Sequence, residues 1–367
     1  MSLTVPSPAE SAAAVAPDVG RWDAHGRIMH ARLDAEYILP LRWTADDALA
    51  DLTAYFRSLS EWLDITVIDG SDAALFAVHA RAWEGLVRHR PVTVLRGSNG
   101  KVRGVLSGIA IARHEVIVIA DDDVRYEYDA LVSVVDDLRI ADLVKPQNHF
   151  DPLPWHCAWD TARTLLNRAV SSDYPGTYGV RRSRIVAAGG YDADVLFENL
   201  ELERTVVATG GTVSTRRDIF VARRPPSVRH FLSQRVRQAY DSFAQPGRML
   251  IEASILPTLI GLRRRPGALV ALFAMLIAVA ERGRRIDGGR AVFPLSSVLW
   301  VPLWVMERGV ATWIAVALRL RGGVRYAGGR ITRAANSSRA LRRRFRSARA
   351  PVSVRPCRRT RASPSRL

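Results

Sequence analysis

The chain has 367 residues, enough for one large domain or two ordinary ones, and 48% of them are hydrophobic, enough for a sizeable core. The net charge of +17 sits at one end: residues 321–367 hold fifteen arginines and no acid, and the other 320 residues carry only +2. The body of the chain is therefore not a basic nucleic-acid-coating protein, and two cysteines, Cys157 and Cys357, are too few for a disulfide framework or a cysteine-built zinc site.

Residues 1–20 are rich in Ala, Pro and Ser, with no basic start and no sustained apolar core, so no secretory signal is read there and residues 1–30 are expected to be disordered. Ala35–Leu41 reads as a first strand. Thr44 is the expected N-cap of a helix from Ala48 to Leu63, with Leu49, Leu52, Tyr55, Phe56, Leu59 and Leu63 at helical spacing. Ile65–Ile68 is a second strand ending in Asp69, Ala73–Arg88 a second helix and Val92–Leu95 a third strand. A Gly-rich loop at Gly97–Gly100 then leads Lys101 and Arg103 into a helix. Glu115–Ala120 is an apolar strand that runs straight into Asp121-Asp122-Asp123. Strands and helices alternating at this length predict an α/β fold with a mostly parallel sheet and right-handed crossovers.

The aspartate triplet is the centre of this pattern. Open α/β sheets bind ligands at the carboxyl ends of their strands. Clustered carboxylates disfavour one another's charge unless a cation relieves them, and hard oxygen donors suit Mn²⁺ or Mg²⁺. The plain alternative is an acidic turn capping the next helix. Asp69, also at a strand end, reads either as an acceptor for a base or ribose or as a turn former. Lys101 reads either as a phosphate contact at a helix start or as a solvated cation.

Further on come a strand over residues 142–150, a stiff aromatic segment at Pro152–His156 that includes Trp155, and a helix over residues 160–170. A small-residue turn at Gly176-Thr177 precedes a strand at Val180–Arg182, and Gly189-Gly190-Tyr191 follows. Then come Glu198-Asn199-Leu200-Glu201 and His230, Gln234, Arg237 and Gln238.

The order of these parts resembles the family 2 glycosyltransferases of the GT-A fold, and in particular membrane-bound ceramide- and hopanoid-type glucosyltransferases. The resemblance implies a nucleotide-diphosphate sugar bound by Asp69, Lys101, Asp121, Asp122, Gln234 and Arg237. It implies a divalent metal, Mn²⁺ or Mg²⁺, at Asp121 and Asp123 with help from His230, and an acceptor side shaped by Gly176, Thr177 and Trp155. The family's general base is an Asp after a Glu; here that position is Asn199, so Glu198 or Glu201 is left to take the acceptor's proton. Gln234 and Arg237 match the family's Gln-X-X-Arg-Trp motif, with Gln238 in place of the Trp.

The last third differs. An apolar run from Pro266 to Ala280 gives about 22 Å of helix, short of the roughly 20 residues a membrane span needs. Apolar stretches at Ala291–Met306 and Gly309–Leu318 follow. Arginine clusters flank the first run, which speaks against a span under the positive-inside bias. Interfacial helices anchored by Trp300, Trp304 and Trp313 are expected; true spans, and helices packed on the globular body, are the alternatives. The expected division is a disordered N-terminus (1–30), a GT-A domain (31–250), a membrane-associated helical region (251–330) and an Arg-rich disordered tail (331–367).

The reading is a metal-dependent, inverting sugar transfer to a lipid or lipid-linked acceptor at the cytoplasmic membrane face. A nucleotidyltransferase, and a non-catalytic homologue binding nucleic acid or membrane, are the alternatives. Nucleic acid is not an expected partner, because the basic tail lacks interleaved aromatics apart from Phe345.

Overall fold

The computed structural model describes residues 21–22, 28–326 and 329–349. The expected disorder of residues 1–20, 23–27 and 350–367 lies outside the described residues. The central sheet has eight strands: β1 (Glu36–Leu41), β2 (Asp64–Asp69), β3 (Arg88–Pro91), β4 (Val116–Ala120), β5 (Val124–Arg125), β6 (Leu143–Phe150), β7 (Thr177–Arg181) and β8 (Val213–Arg223). Their order is β3-β2-β1-β4-β7-β6-β8-β5. The strands β3, β2, β1 and β4 are parallel, β7 runs antiparallel to both β4 and β6, and β6 pairs parallel with β8. The α/β expectation holds, with β7 making the sheet mixed.

Helices α1 (Leu49–Trp62), α2 (Ala73–Ala82), α3 (Gly100–Ile111) and α4 (Tyr128–Asp137) cover the two faces. One face packs Leu52, Phe56 and Leu59 of α1 and Leu131 and Val134 of α4; the other packs Val102, Val105 and Ile109 of α3. Tyr37, Ile38 and Leu39 of β1 are fully buried, as a strand between two such layers requires.

Two local expectations shift. Helix α1 starts after Ala48 without a side-chain cap, and Asp46, in the turn where Thr44 was expected to cap, accepts from His79 Nε2 at 2.9 Å instead. Helix α2 stops at Ala82, and the third strand is the polar Arg88–Pro91 rather than the apolar Val92–Leu95. As an edge strand it needs no apolar run: Arg88 pairs with Glu36, and His89 stacks on Phe76 at 4.2 Å. Leu95 stays 73% exposed.

The second half adds α5 (Trp155–Val170), α6 (Arg182–Ala187), α7 (Glu198–Ala208) and α8 (Val228–Asp241), then α9 (Pro246–Leu262), α10 (Pro266–Arg285) and α11 (Val301–Leu320). The apolar C-terminal helices are bolted to the α/β body. Ala280 of α10 and Val301, Trp304 and Val305 of α11 share a core with Ala162 and Leu165 of α5. Trp304 is 7% exposed, so it is a core residue and not a headgroup anchor, while Trp313 is 45% exposed. By length and composition, Pro266–Ala291 and Leu295–Leu320 are both able to cross a membrane, but their most apolar windows are 11% and 44% buried within the protein.

At Gly283 an added Cβ would lie 1.9 Å from the Leu165 carbonyl oxygen and 3.0 Å from the Ala169 nitrogen, both backbone atoms of α5. Neither can turn aside as a side chain would. Gly283→Ala is therefore expected to cost about 2–3 kcal/mol, the upper part of the overpacking range, read as a lower denaturant midpoint at unchanged slope.

The chain after α11 forms a short hairpin, Val324–Tyr326 with Gly329–Ile331, and then α12 (Ser338–Arg349), which packs against α7. Residues 331–349 are thus built into the fold, contrary to the expected disorder of 331–367. The amide nitrogens of Leu196 and Phe197 donate to the carbonyls of Arg333 and Ala334 at 3.0 and 2.8 Å.

Candidate active site

A cavity of about 240 Å³ opens at the carboxyl end of β4, between the sheet and helices α7, α8, α9 and α11. Its walls hold Lys101, Asp121, Asp123, Gly176, Glu198, His230, Gln234 and Arg237, so the sequence pattern brought most of the expected residues to one place. Each is delivered by its element. Asp121 and Asp123 follow the buried strand β4, Lys101 sits in the first turn of α3, Glu198 begins α7, and Gln234 and Arg237 lie one turn apart on α8.

The charges interlock. Lys101 Nζ lies 2.7 Å from Asp121 Oδ1 and 2.9 Å from Glu198 Oε1. Burial works against the lysine's charge, but the two carboxylates outweigh it and raise its pKa above the ordinary value. Arg223, at the end of β8, donates from Nε and Nη2 to Asp123 Oδ2 at 3.1 and 2.5 Å. Asp123 Oδ1 is buried and has no hydrogen-bond partner among the described residues. An ionised carboxylate oxygen left bare in this way wants a cation.

Gly176 makes room beside it. The Gly176 carbonyl accepts from the Asp121 nitrogen at 3.0 Å, and a Cβ at this position would lie 2.7 Å from Asp121 Oδ2. Asn199, the amide where an acid was looked for, donates to the Pro175 carbonyl at 2.9 Å and so braces this turn. Gly176→Ala is expected to displace the Asp121 carboxylate and weaken Mn²⁺ binding about tenfold, the scale of a misplaced ligand-supporting group, measured by calorimetric titration.

Six expected site residues are placed elsewhere or otherwise. Asp69 is buried, 2% exposed, at the end of β2. Its Oδ2 meets His79 Nδ1 at 2.6 Å and His89 Nε2 at 3.0 Å, and its Oδ1 accepts from the Ser71 nitrogen. Burial opposes its charge, but His89, Ser71 and His79 together hold the carboxyl below the usual range. It is spent inside the fold. Asp122 turns away to accept from Trp43 Nε1 at 2.5 Å, and burial raises its carboxyl above the ordinary value. Thr177 is fully buried, with its Oγ1 donating to the Ile119 carbonyl at 2.7 Å.

Trp155 starts α5 outside the cavity and stacks on Trp300 at 6.4 Å. Glu201 is fully buried and holds Asn336, accepting from its backbone nitrogen at 2.7 Å and its side-chain amide at 2.8 Å. Glu201 lies one turn along α7 from Glu198, about 60° round the helix, and there it meets Asn336 of the C-terminal segment rather than the cavity. His230 reaches the cavity, but its Nε2 accepts from the Gln234 amide. Among the described residues, the only three metal-capable side chains whose ligand atoms lie within 4.8 Å of one another are Asp69, His79 and His89.

Sequence reasoning missed Asp241 and Arg308. Asp241 ends α8 four residues after Arg237, on the same face as Gln234 and Arg237, and that spacing was a usable signal. It lines the cavity with Oδ1 buried and without a partner. Burial pushes its carboxyl up to about 7, Glu198 adding to the shift and Arg237 opposing it. Arg308 follows Glu307 in the middle of the largely apolar α11 and also lines the cavity.

No family model matches the sequence, and no curated protein matches it. Among solved structures, a mannosyltransferase from Pyrobaculum calidifontis in complex with GDP-Man and Mn²⁺ is 15% identical, covering 77% of this chain and 88% of that one, with a TM-score of 0.46. The glucosyl-3-phosphoglycerate synthase of Mycobacterium tuberculosis, in complex with Mn²⁺, UDP and glucosyl-3-phosphoglycerate, is 16% identical over 53% and 74%, with a TM-score of 0.38. The mannosyl-3-phosphoglycerate synthase of Rubrobacter xylanophilus is 13% identical over 58% and 75%, with a TM-score of 0.39. These likenesses are loose and assign no role to any residue of this chain.

Proposed function

We propose that the protein is a metal-dependent glycosyltransferase of the GT-A kind that moves a sugar from a nucleotide-diphosphate donor to an acceptor hydroxyl. The observation that carries this reading is Asp123, with its bare, buried Oδ1, beside Asp121 at the carboxyl end of β4, both lining a cavity that Lys101 and Arg237 also line. Asp121 and Asp123 fit a divalent cation: two hard carboxylates, one with an unmet oxygen and the other next to a residue without a Cβ. Such a cation, when bound, neutralises charge on the donor's two phosphates.

The chain's own groups do the rest. Arg223 fixes the Asp123 carboxylate through its Oδ2, leaving Oδ1 to face the ligand. Lys101, held between Asp121 and Glu198, and Arg237, held by Gln234 at 3.0 Å, place two cations where the leaving diphosphate gains charge. The acceptor hydroxyl gives its proton to a cavity carboxylate as its oxygen displaces the diphosphate from the anomeric carbon, with inversion. Of the expected bases, Glu201 is sealed in the fold and Glu198 is tied to Lys101. Asp241 has an unpaired oxygen and a pKa near working pH, which suits it to this step.

The acceptor is proposed to be a lipid or lipid-linked molecule at the cytoplasmic membrane face. The support is the set of exposed apolar side chains on the C-terminal helices: Leu250, Ile251 and Ile260 on α9, Val270 and Met275 on α10, and Ile314 on α11. The deciding experiment supplies donor labelled separately in the sugar and in the nucleotide. Sugar label in the product, with release of a nucleoside diphosphate, supports the reading. Nucleotide label in the product replaces it with nucleotidyl transfer.

A further inference from the structure

Two arginines are among the largest fully buried side chains in this protein, Arg168 and Arg308. Their surroundings are opposite. Arg168 on α5 donates to the carbonyls of Gly283, Arg217 and Ile286 and to Gln147 Oε1, so Nε, Nη1 and Nη2 are all engaged. Arg308 on α11 is 1% exposed, and among the described residues neither Nε nor Nη2 has a hydrogen-bond partner. Its one ionic contact is through Nη1, 3.8 Å from Glu252 Oε2, and its guanidinium lies over the Trp304 ring at 5.5 Å.

The unmet edge is informative. Nε and Nη2 form the side of a guanidinium that grips two oxygens of one oxyanion. Arg223 uses that edge on Asp123, and Arg235 uses it on Glu307. Arg308 lines the cavity, and among the described residues the same buried edge grips nothing. A charged donor pair left so is among the costlier things a fold can bury.

Glu252 does not relieve it. Its Oε1 accepts from Arg248 Nε at 2.8 Å and its Oε2 from Ser242 Oγ at 2.7 Å, so one carboxylate serves two arginines. The charged groups acting most on Arg308 are Glu252, Glu307, Arg235 and Arg248, none of them at the Asp121–Asp123 end of the cavity. Arg248, Ser242 and Gln245 line the cavity beside it.

We propose that Arg308, with Arg248, forms a phosphate subsite for the acceptor, opposite the donor's metal end of the cavity, so that the acceptor is a phosphate-bearing molecule. This rests on the transfer reading above and extends it: the apolar helix α11 is a wall of the site as well as a membrane-facing element. A guanidinium edge with a second arginine lining the same cavity suits a phosphate better than a lone carboxylate.

The test uses the full chain in detergent. Binding of UDP and GDP with Mg²⁺ is measured first, then inorganic phosphate is titrated into the protein saturated with whichever nucleotide binds. The expected result is saturable phosphate binding that Arg308→Gln weakens about 10- to 100-fold, the worth of a charge-assisted pair, with nucleotide affinity changed less than about twofold. If Arg308→Gln does not fold, Arg248→Gln carries the same expectation.

Phosphate that fails to bind beside a bound nucleotide overturns the subsite and leaves the transfer reading standing. So does a variant that loses nucleotide and phosphate alike, since Arg308 would then belong to the donor. Failure of both nucleotides to bind with Mg²⁺ strikes the transfer reading itself. A competition arm identifies the source of the phosphate. Phosphatidic acid in phosphatidylcholine vesicles displaces phosphate if the acceptor is a lipid, and glycerol 3-phosphate does so if it is soluble; displacement by neither overturns the subsite.

Discussion

Asp123→Asn is expected to lower turnover by at least about a thousandfold and to abolish metal-dependent nucleotide binding, while leaving the thermal midpoint within a few degrees of the parent. The size follows from what the carboxylate is asked to do. Neutralising a leaving diphosphate through a bound cation is worth several kcal/mol, and each 1.36 kcal/mol is tenfold in rate. The amide keeps an oxygen for the Arg223 fork, which now grips Oδ2, so the packing around β8 has no reason to change. What it loses is the charge at the bare Oδ1. Calorimetric titration with UDP or GDP and Mn²⁺ reads the binding, and a labelled-donor assay reads the rate. A variant that still binds nucleotide in a metal-dependent way, or turns over within a few fold of the parent, removes the cation from Asp123 and with it the main support for sugar transfer.

The parts of this site that were legible in the sequence are those set by local pattern. An apolar run followed by acids gives a buried strand with carboxylates at its end, and Asp121 and Asp123 stand there. The Gly-rich approach to α3 put Lys101 in the first turn of a helix. Asp69 was placed correctly at a strand end, but its partners, His79 and His89, lie ten and twenty residues on, and only packing shows that they consume the carboxylate. The fate of Glu201 is less local still: it depends on Asn336, 135 residues away, in a segment read as loose tail. The strand β3 escaped because an edge strand with side chains paired to Glu36 and Asp69 carries no apolar alternation.

The apolar C-terminal helices were read for hydropathy alone. That reading takes Glu307-Arg308 for a break between two apolar stretches, where the structure has one helix, α11. A charged residue within an apolar helix is expensive wherever the helix lies, and here Arg308 marks the cavity wall. The same holds for Asp241. It is one turn past a recognised motif, and the motif's end was taken for the end of its function.

Asp241→Asn is expected to lower kcat by about 10²–10⁴-fold, the usual worth of a positioned proton acceptor, and to change the shape of the pH profile. With the Asp241 carboxyl pushed up to about 7 by burial, the wild-type rate is expected to rise about tenfold per pH unit below that value and level above it, because only the ionised form takes the acceptor's proton. The variant has no such limb. Glu198→Gln, by contrast, removes one of the two carboxylates holding Lys101, so its effect is expected in donor affinity, with the acidic limb retained. Stability gives an independent reading with the sign fixed by linkage. Between the ordinary carboxyl value of 3.8 and about 7, the folded protein keeps a proton that the unfolded chain has released, so stability falls as pH rises through that window. Asparagine cannot titrate, so Asp241→Asn is expected to lose this fall and to be the more stable protein at pH 8, read by urea unfolding at pH 5 and pH 8. Should Asp241→Asn keep the limb and its turnover while Glu198→Gln loses both, the proton goes to Glu198, and the buried acid of α8 is a structural oddity rather than the base.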